Sequence, residues 1–132
     1  MTKKTSYIID SFAWVEYFRG SSQGEQAASY IEEGQGFTPI VVIAELSAYY
    51  ARQKISSWER DYSFIEMKAP LIDLTPEIAK RAGITRQKMR ETRPKFGLMD
   101  AIIYETALSL KAWVVSGDPH FEGLANVIFL KN

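Results

Sequence analysis

The sequence contains no cysteine. A disulfide framework and a thiolate metal site are therefore excluded, and the absence of thiols fits a reducing, cytoplasmic setting. Net charge is also missing, because 16 Lys and Arg balance 16 Asp and Glu. No overall field draws the chain to nucleic acid, so any such signal must come from local clusters. No apolar run approaches the roughly 18 residues that a membrane-spanning helix needs, and no membrane association is expected. The opening "MTKKTSYIID" offers only Tyr7, Ile8 and Ile9 before an acid, too little for a signal-peptide core. Histidine occurs once, at His120.

What is present fits a soluble globular chain. Its 132 residues are 46% apolar and 24% charged, enough for one sizeable core. No linker, internal repeat or low-complexity segment breaks it, so a single domain over residues 1–132 is expected.

Strand and helix signals alternate. Short apolar runs with β-branched residues predict strands at 7–10, 36–39, 70–74, 112–117 and 126–130. Between them, helices are predicted at 11–20, 25–34, 40–53, 56–69, 75–91 and 99–111. Gly20 and Gly34 supply stop signals, and Thr75 followed by Pro76 supplies a start signal. Pro39 suits a first-turn position of the helix that follows it. The alternation implies a parallel α/β sheet of about five short strands, with helices on both faces.

In such a sheet, ligands bind beyond the carboxyl ends of the strands. Asp10 ends the first strand and Asp118 follows "WVVSG". Glu45 is the only ionisable residue between Pro39 and Tyr50, and Asp100 opens the apolar helix "MDAIIYETALSLK". Each acid has an ordinary reading of its own. Asp10 and Asp100 can cap helices, Asp118 can open an Asp-Pro turn, and Glu45 can point to solvent. Two acids at strand ends and two on apolar helices are harder to explain as four accidents. By contrast Glu32, Glu33, Glu59, Asp61 and Glu66 lie among polar neighbours and read as solvated surface.

Clustered carboxylates repel unless a cation neutralises them. Hard divalent ions take oxygen ligands, and magnesium prefers one or two carboxylates together with water and phosphate oxygens. The chemistry this points to is metal-dependent phosphodiester hydrolysis.

"IIDSFAWVEYF", "VVIAELSAYYAR" and "GLMDAIIYETALSLKAWVVSGDPHF" resemble the successive acidic motifs of the PIN-domain ribonucleases. Ser116, Asp118 and Phe121 match the hydroxyl-x-Asp-x-x-Phe ending of the VapC-type toxins of toxin–antitoxin pairs. The resemblance covers nearly the whole chain. It implies a three-layer PIN-like fold and a Mg2+- or Mn2+-dependent endoribonuclease. It also implies an acidic pocket of Asp10, Glu45, Asp100 and Asp118. Asp10 and Asp100 would then be direct metal ligands, with Asp118 direct or through water. Glu45 would orient water or hold a second ion, and Ser116 would hydrogen-bond within the pocket. A cognate antitoxin and a homodimer are the implied partners, beside the RNA substrate.

"KRAGITRQKMRETRPK" carries seven basic residues and one acid just before Asp100. Such a run is ordinarily a solvated helix face. Its position makes Arg86, Lys88, Arg90 and Arg93 candidate RNA contacts. His120 could serve as a general base, but metal-bound water does not need one, and it reads rather as a turn residue with no assigned partner. Trp14, Tyr17, Phe18, Tyr49 and Tyr50 recur at near-helical spacing and read as core or as a partner groove. An aspartyl-phosphate phosphatase would need a second Asp where Phe12 stands. A receiver domain would need an acidic pair before its acceptor Asp, and Asp10 stands alone. The competing reading is a catalytically silent PIN-like module that binds RNA or protein.

Overall fold

The structure, a computed structural model, describes residues 4–132. The chain runs β1 (Tyr7–Ile9), α1 (Ser11–Arg19), α2 (Ser22–Glu32), β2 (Gly36–Pro39), α3 (Ile40–Arg52) and α4 (Trp58–Lys68). It continues through β3 (Leu71–Ile72), α5 (Pro76–Met89), α6 (Leu98–Ser109), β4 (Trp113–Ser116), a 3-10 turn (Pro119–Phe121) and β5 (Val127–Phe129). The five strands form one sheet in the order β3-β2-β1-β4-β5, and every pairing is parallel. Ile9 pairs with Val115 across the centre.

The chain first builds outward from β1 to β3, then returns to the other side of β1 for β4 and β5. Right-handed crossovers then put α1 to α4 on one face and α5 and α6 on the other. The direction of winding reverses between β1 and β4. A crevice opens there beyond the carboxyl ends of the strands, and Asp10 and Asp118 stand at its rim.

Local chemistry explains most element boundaries. α1 stops at Gly20, whose φ of 68° is left-handed and whose N–H reaches back to Glu16 and Tyr17 carbonyls. α2 begins at Ser22, three residues before the sequence pattern places it, because Ser21 Oγ accepts the Gly24 N–H at 3.1 Å. A Cβ at Gly24 would run into the Glu16 carbonyl, so this residue lets α1 and α2 touch. Pro39 closes β2 with an extended ψ of 140° and precedes α3 instead of sitting in its first turn. Thr75 caps α5 by accepting the Ile78 N–H, with Pro76 in the first turn as its sequence predicts. β3 shrinks to two residues at the sheet edge, since Asp73 and Leu74 are exposed.

Ile8, Ile9, Val114 and Val115 fill the sheet centre and are fully buried. On one face Trp14 packs against Tyr17, Phe18 and Phe64. On α6, Ala101 to Ala107 are all buried, which makes it the central helix of its layer. Asp61 departs from the surface expected of it. It is buried and accepts hydrogen bonds from Tyr50 Oη at 2.5 Å and Ser57 Oγ at 3.0 Å. Partners from α3 and the α4 entry make that burial tolerable. Glu32, Glu33, Glu59 and Glu66 are exposed as expected. Among the described residues, no helix is long and apolar enough to cross a membrane.

Candidate active site

Asp10 is the residue that turns β1 into α1. Its backbone carbonyl accepts the Trp14 N–H, the first bond of α1, while its N–H still belongs to the sheet and donates to Val115 at 3.2 Å. The side chain is 3% exposed. It does not cap the helix; its Oδ2 instead accepts Ser116 Oγ at 2.6 Å. The ordinary capping role available to Asp10 is thus not the one it plays. Burial raises its pKa from 3.8 to about 7. The Ser116 hydroxyl opposes this, and the charges of Glu45 and Asp118 reinforce it.

Ser116, fully buried at the end of β4, links two acids. It donates to Asp10 and accepts the Asp118 N–H at 3.0 Å. The pocket role expected of Ser116 is present in this geometry. Gly117 between them has no room for a side chain, because a Cβ would press on Phe12 and on the Leu130 carbonyl.

Glu45 points from the middle of α3, half-buried, and accepts Ser11 Oγ at 3.1 Å. Burial raises its pKa; the Ser11 bond works against that, and the charges of Asp100 and Asp118 add to it. Asp100, in the first turn of α6, accepts the Gly97 N–H at 2.8 Å, a backward bond that fixes the helix start. Its pKa is raised by burial, lowered by Gly97 and His120, and pushed up by the Asp118 charge.

The four acids therefore converge. Asp10 feels Glu45 and Asp118, Glu45 feels Asp100 and Asp118, and Asp100 feels Asp118. They arrive from four different elements, and the switch in winding direction brings those elements together. An open cleft of about 610 Å³ between α1 and α3 reaches Glu45 and Asp118, and Glu16, Arg19, Tyr49 and Arg52 also line it.

The most compact group is not the expected set. One ligand atom each from Asp100, Asp118 and His120 lie within 4.8 Å of one another. Asp10 sits a step inward, bound to Ser116. His120 is not a turn residue without a partner. Its ring Nδ1 lies 2.9 Å from Asp100 Oδ2 and 3.5 Å from Asp118 Oδ1. The 3-10 turn that starts at Pro119 folds the ring back over Asp118, and buried Phe121, edge-on to Phe96, anchors that turn. The available signal was the spacing Asp-x-His followed by an apolar aromatic.

The donor set suits a hard divalent cation. Burial first, and the charge of neighbouring acids second, raise the pKa values of Asp10, Glu45 and Asp100, and an ion with oxygen preference would offset both.

The basic stretch divides. α5 ends at Met89, so Arg90 to Lys95 form the loop into α6. Arg90 Nε donates to the Phe96 carbonyl at 2.8 Å, and Arg93 Nη1 to the His120 carbonyl at 3.0 Å. Arg81 pairs with Glu105, a buried acid on α6 that also accepts Thr85 Oγ1 at 2.6 Å. Lys88 is exposed, and Arg86 is half-buried with its Nε lacking a partner. Of the aromatics, Trp14 and Tyr50 are core, and Tyr49 lines the cleft with Arg52 over its ring at 5.7 Å.

Solved structures share the fold. A toxin–antitoxin complex from Klebsiella pneumoniae aligns with a TM-score of 0.77 at 20% identity, covering 96% of this chain and 99% of that one. VapBC2 from Rickettsia felis, bound to a DNA fragment from its promoter, aligns at 0.68 and 18% identity, over 95% and 97%. VapC20 of Mycobacterium tuberculosis, described as a toxin that cleaves the sarcin–ricin loop, aligns at 0.67 and 13% identity, over 92% and 98%. No curated protein matches the sequence. The PIN domain family model matches residues 7–127, which span β1 to β4, reach the first residue of β5 and include all four acids, and the chain belongs to the PIN-domain family.

Proposed function

We propose that the chain is a metal-dependent endoribonuclease, a single nuclease domain acting as the toxin of a toxin–antitoxin pair. The observation that carries this reading is the convergence of Asp10, Glu45, Asp100 and Asp118 at one crevice, where Glu45, Asp100 and Asp118 each raise the cost of charge on at least one of the others and Asp10 bears that cost from Glu45 and Asp118. Asp10, Asp100 and Asp118 are the proposed metal-holding acids, and Glu45 the residue that orients water. When bound, Mg2+ or Mn2+ would neutralise the pocket and activate a water for attack on a phosphodiester. The chain's own contribution is orientation. Ser116 fixes Asp10 and the Asp118 backbone, Ser11 fixes Glu45, and Gly97 fixes Asp100. Fixed carboxylates spare the cost of ordering them when substrate arrives.

RNA is the proposed substrate, with Arg86 and Lys88 of the basic stretch best placed to meet phosphates, since Arg90 and Arg93 also hold backbone carbonyls. An antitoxin partner is proposed from the toxin–antitoxin complexes that share the fold, and a cytoplasmic homodimer from the family resemblance of the sequence. A silent binding module would have no need for four acids that cost stability when empty. Purified protein should cleave RNA with magnesium or manganese and stop with a chelator, and Asp100→Asn should abolish cleavage while keeping the parent's circular dichroism. Full activity in that variant would remove the assignment.

A further inference from the structure

His120 stands between Asp100 and Asp118, with one ligand atom of each of the three within 4.8 Å of the others, and the four-acid site assigns it no part. Its ring Nδ1 lies 2.9 Å from Asp100 Oδ2, and its backbone N–H donates to Asp118 Oδ1 at 2.9 Å. An ionised carboxylate only accepts, so the ring must present Nδ1–H to Asp100. The Gly97 N–H takes the same oxygen at 2.8 Å. Asp100 Oδ2 thus carries two hydrogen bonds, and among the described residues Oδ1 carries none. Asp118 is held in the same manner, by Oδ1 alone. The clamp is itself supported. Arg93 Nη1 donates to the His120 carbonyl at 3.0 Å, and the adjacent Phe121 is fully buried.

We propose that His120 is a positioning residue that ties one oxygen of Asp100 and one of Asp118, so that each acid presents its other oxygen to a divalent cation. The proposal rests on the metal-centre reading above and adds the layer behind its ligands. Without the ring, Asp100 keeps only the Gly97 bond and its carboxylate gains freedom to rotate. The ion would then have to order that side chain on binding, which lowers affinity. The same geometry defines the rival role. Nδ1 could itself ligate the ion, but the ring would have to release Asp100 to do so.

Asparagine and glutamine separate the two roles. The amide nitrogen of asparagine is as many bonds from Cα as Nδ1, so it can donate to Asp100; it has no free lone pair for an ion, and the amide oxygen could take the place of Nδ1 at the ion only by turning that nitrogen away from Asp100. Glutamine carries its amide one bond further out and cannot make the same contact. The experiment titrates Mn2+ into the full chain and its variants and follows free aqueous manganese by electron paramagnetic resonance. His120→Ala and His120→Gln should bind manganese roughly 10–100-fold more weakly than the parent, and His120→Asn should stay within about threefold. Melting in chelator, unchanged for His120→Gln, shows that its loss is not unfolding. An alanine variant that binds like the parent overturns the clamp and leaves the metal centre standing. An asparagine variant as weak as alanine overturns it in favour of direct ligation. A parent that binds no manganese overturns the clamp together with the metal centre beneath it.

Discussion

Replacing Asp10 by asparagine is expected to stabilise the metal-free fold at alkaline pH while removing nuclease activity. Asp10 is 3% exposed, and its pKa moves from 3.8 in a free chain to about 7 in the fold. The folded carboxyl therefore holds its proton more tightly than the unfolded one. Between about pH 4 and pH 7 the folded state binds more protons, so stability falls as pH rises through that window and levels off above it. A shift of about three units corresponds to at most roughly 4 kcal/mol. Asparagine keeps the shape and can still accept the Ser116 hydroxyl, but it carries no charge to desolvate. For a chain of this size, 1 kcal/mol moves the melting temperature by about 3–4 °C. In chelator near pH 8, Asp10→Asn should melt up to about 15 °C above the parent, and near pH 4.5 the gap should shrink to roughly a quarter of that. Differential scanning calorimetry at the two pH values measures this directly. If Asp10 holds the ion as proposed, saturating Mn2+ should raise the parent more than the variant, because a ligand that binds only the folded state stabilises it. A gap that does not change with pH, or a variant less stable than the parent near pH 8, would refute the electrostatic reasoning.

The remaining predictions concern the surroundings of the site. Tyr50→Phe removes one of the donors to buried Asp61 and should cost about 1–3 kcal/mol of stability in urea melts, with RNA cleavage retained. Arg86→Ala with Lys88→Ala should flatten the salt dependence of RNA binding by roughly 0.7 in log–log slope for each phosphate no longer neutralised, measured by fluorescence anisotropy. Arg90→Ala should instead lower the melting temperature, since its Nε holds the Phe96 carbonyl. Light scattering should give twice the chain mass at high protein concentration, and a strict monomer would count against the dimer.

The parallel sheet and all five strands were legible because each strand is a short run with apolar or β-branched residues, and helical patterns separate the first four. Thr75-Pro76 and Gly20 fixed helix ends through backbone rules that act within a few residues. Ser21 is just as local, yet Gly24 beside it weakens the helical pattern and hides the start of α2; its reason is contact with α1, which no local rule reveals. Asp10 and Asp118 were legible because they stand at strand ends, where parallel sheets bind ligands. Glu45 and Asp100 were legible because a lone charge on an apolar helix is costly, so its position carries information before any contact is known.

That legibility ends at Asp61 and His120. Asp61 is flanked in sequence by Arg60 and Tyr62 and so reads as surface, yet its burial is decided by Tyr50 and Ser57, which reach it from α3 and the turn before α4. Polar neighbours along the chain say nothing about apolar neighbours in space. His120 fails differently. An isolated histidine after Asp-Pro is compatible with an open turn, and only the 3-10 geometry, held by Phe121 packed on Phe96, swings its ring onto Asp100. Asp100 and His120 belong to different elements, and the sheet order that brings them together is a property of the whole chain. The acids therefore declare themselves by where they stand, at strand ends or on apolar helices. The residue behind them stands in a polar Asp-Pro turn, not on an apolar stretch, and becomes visible only when the elements are assembled.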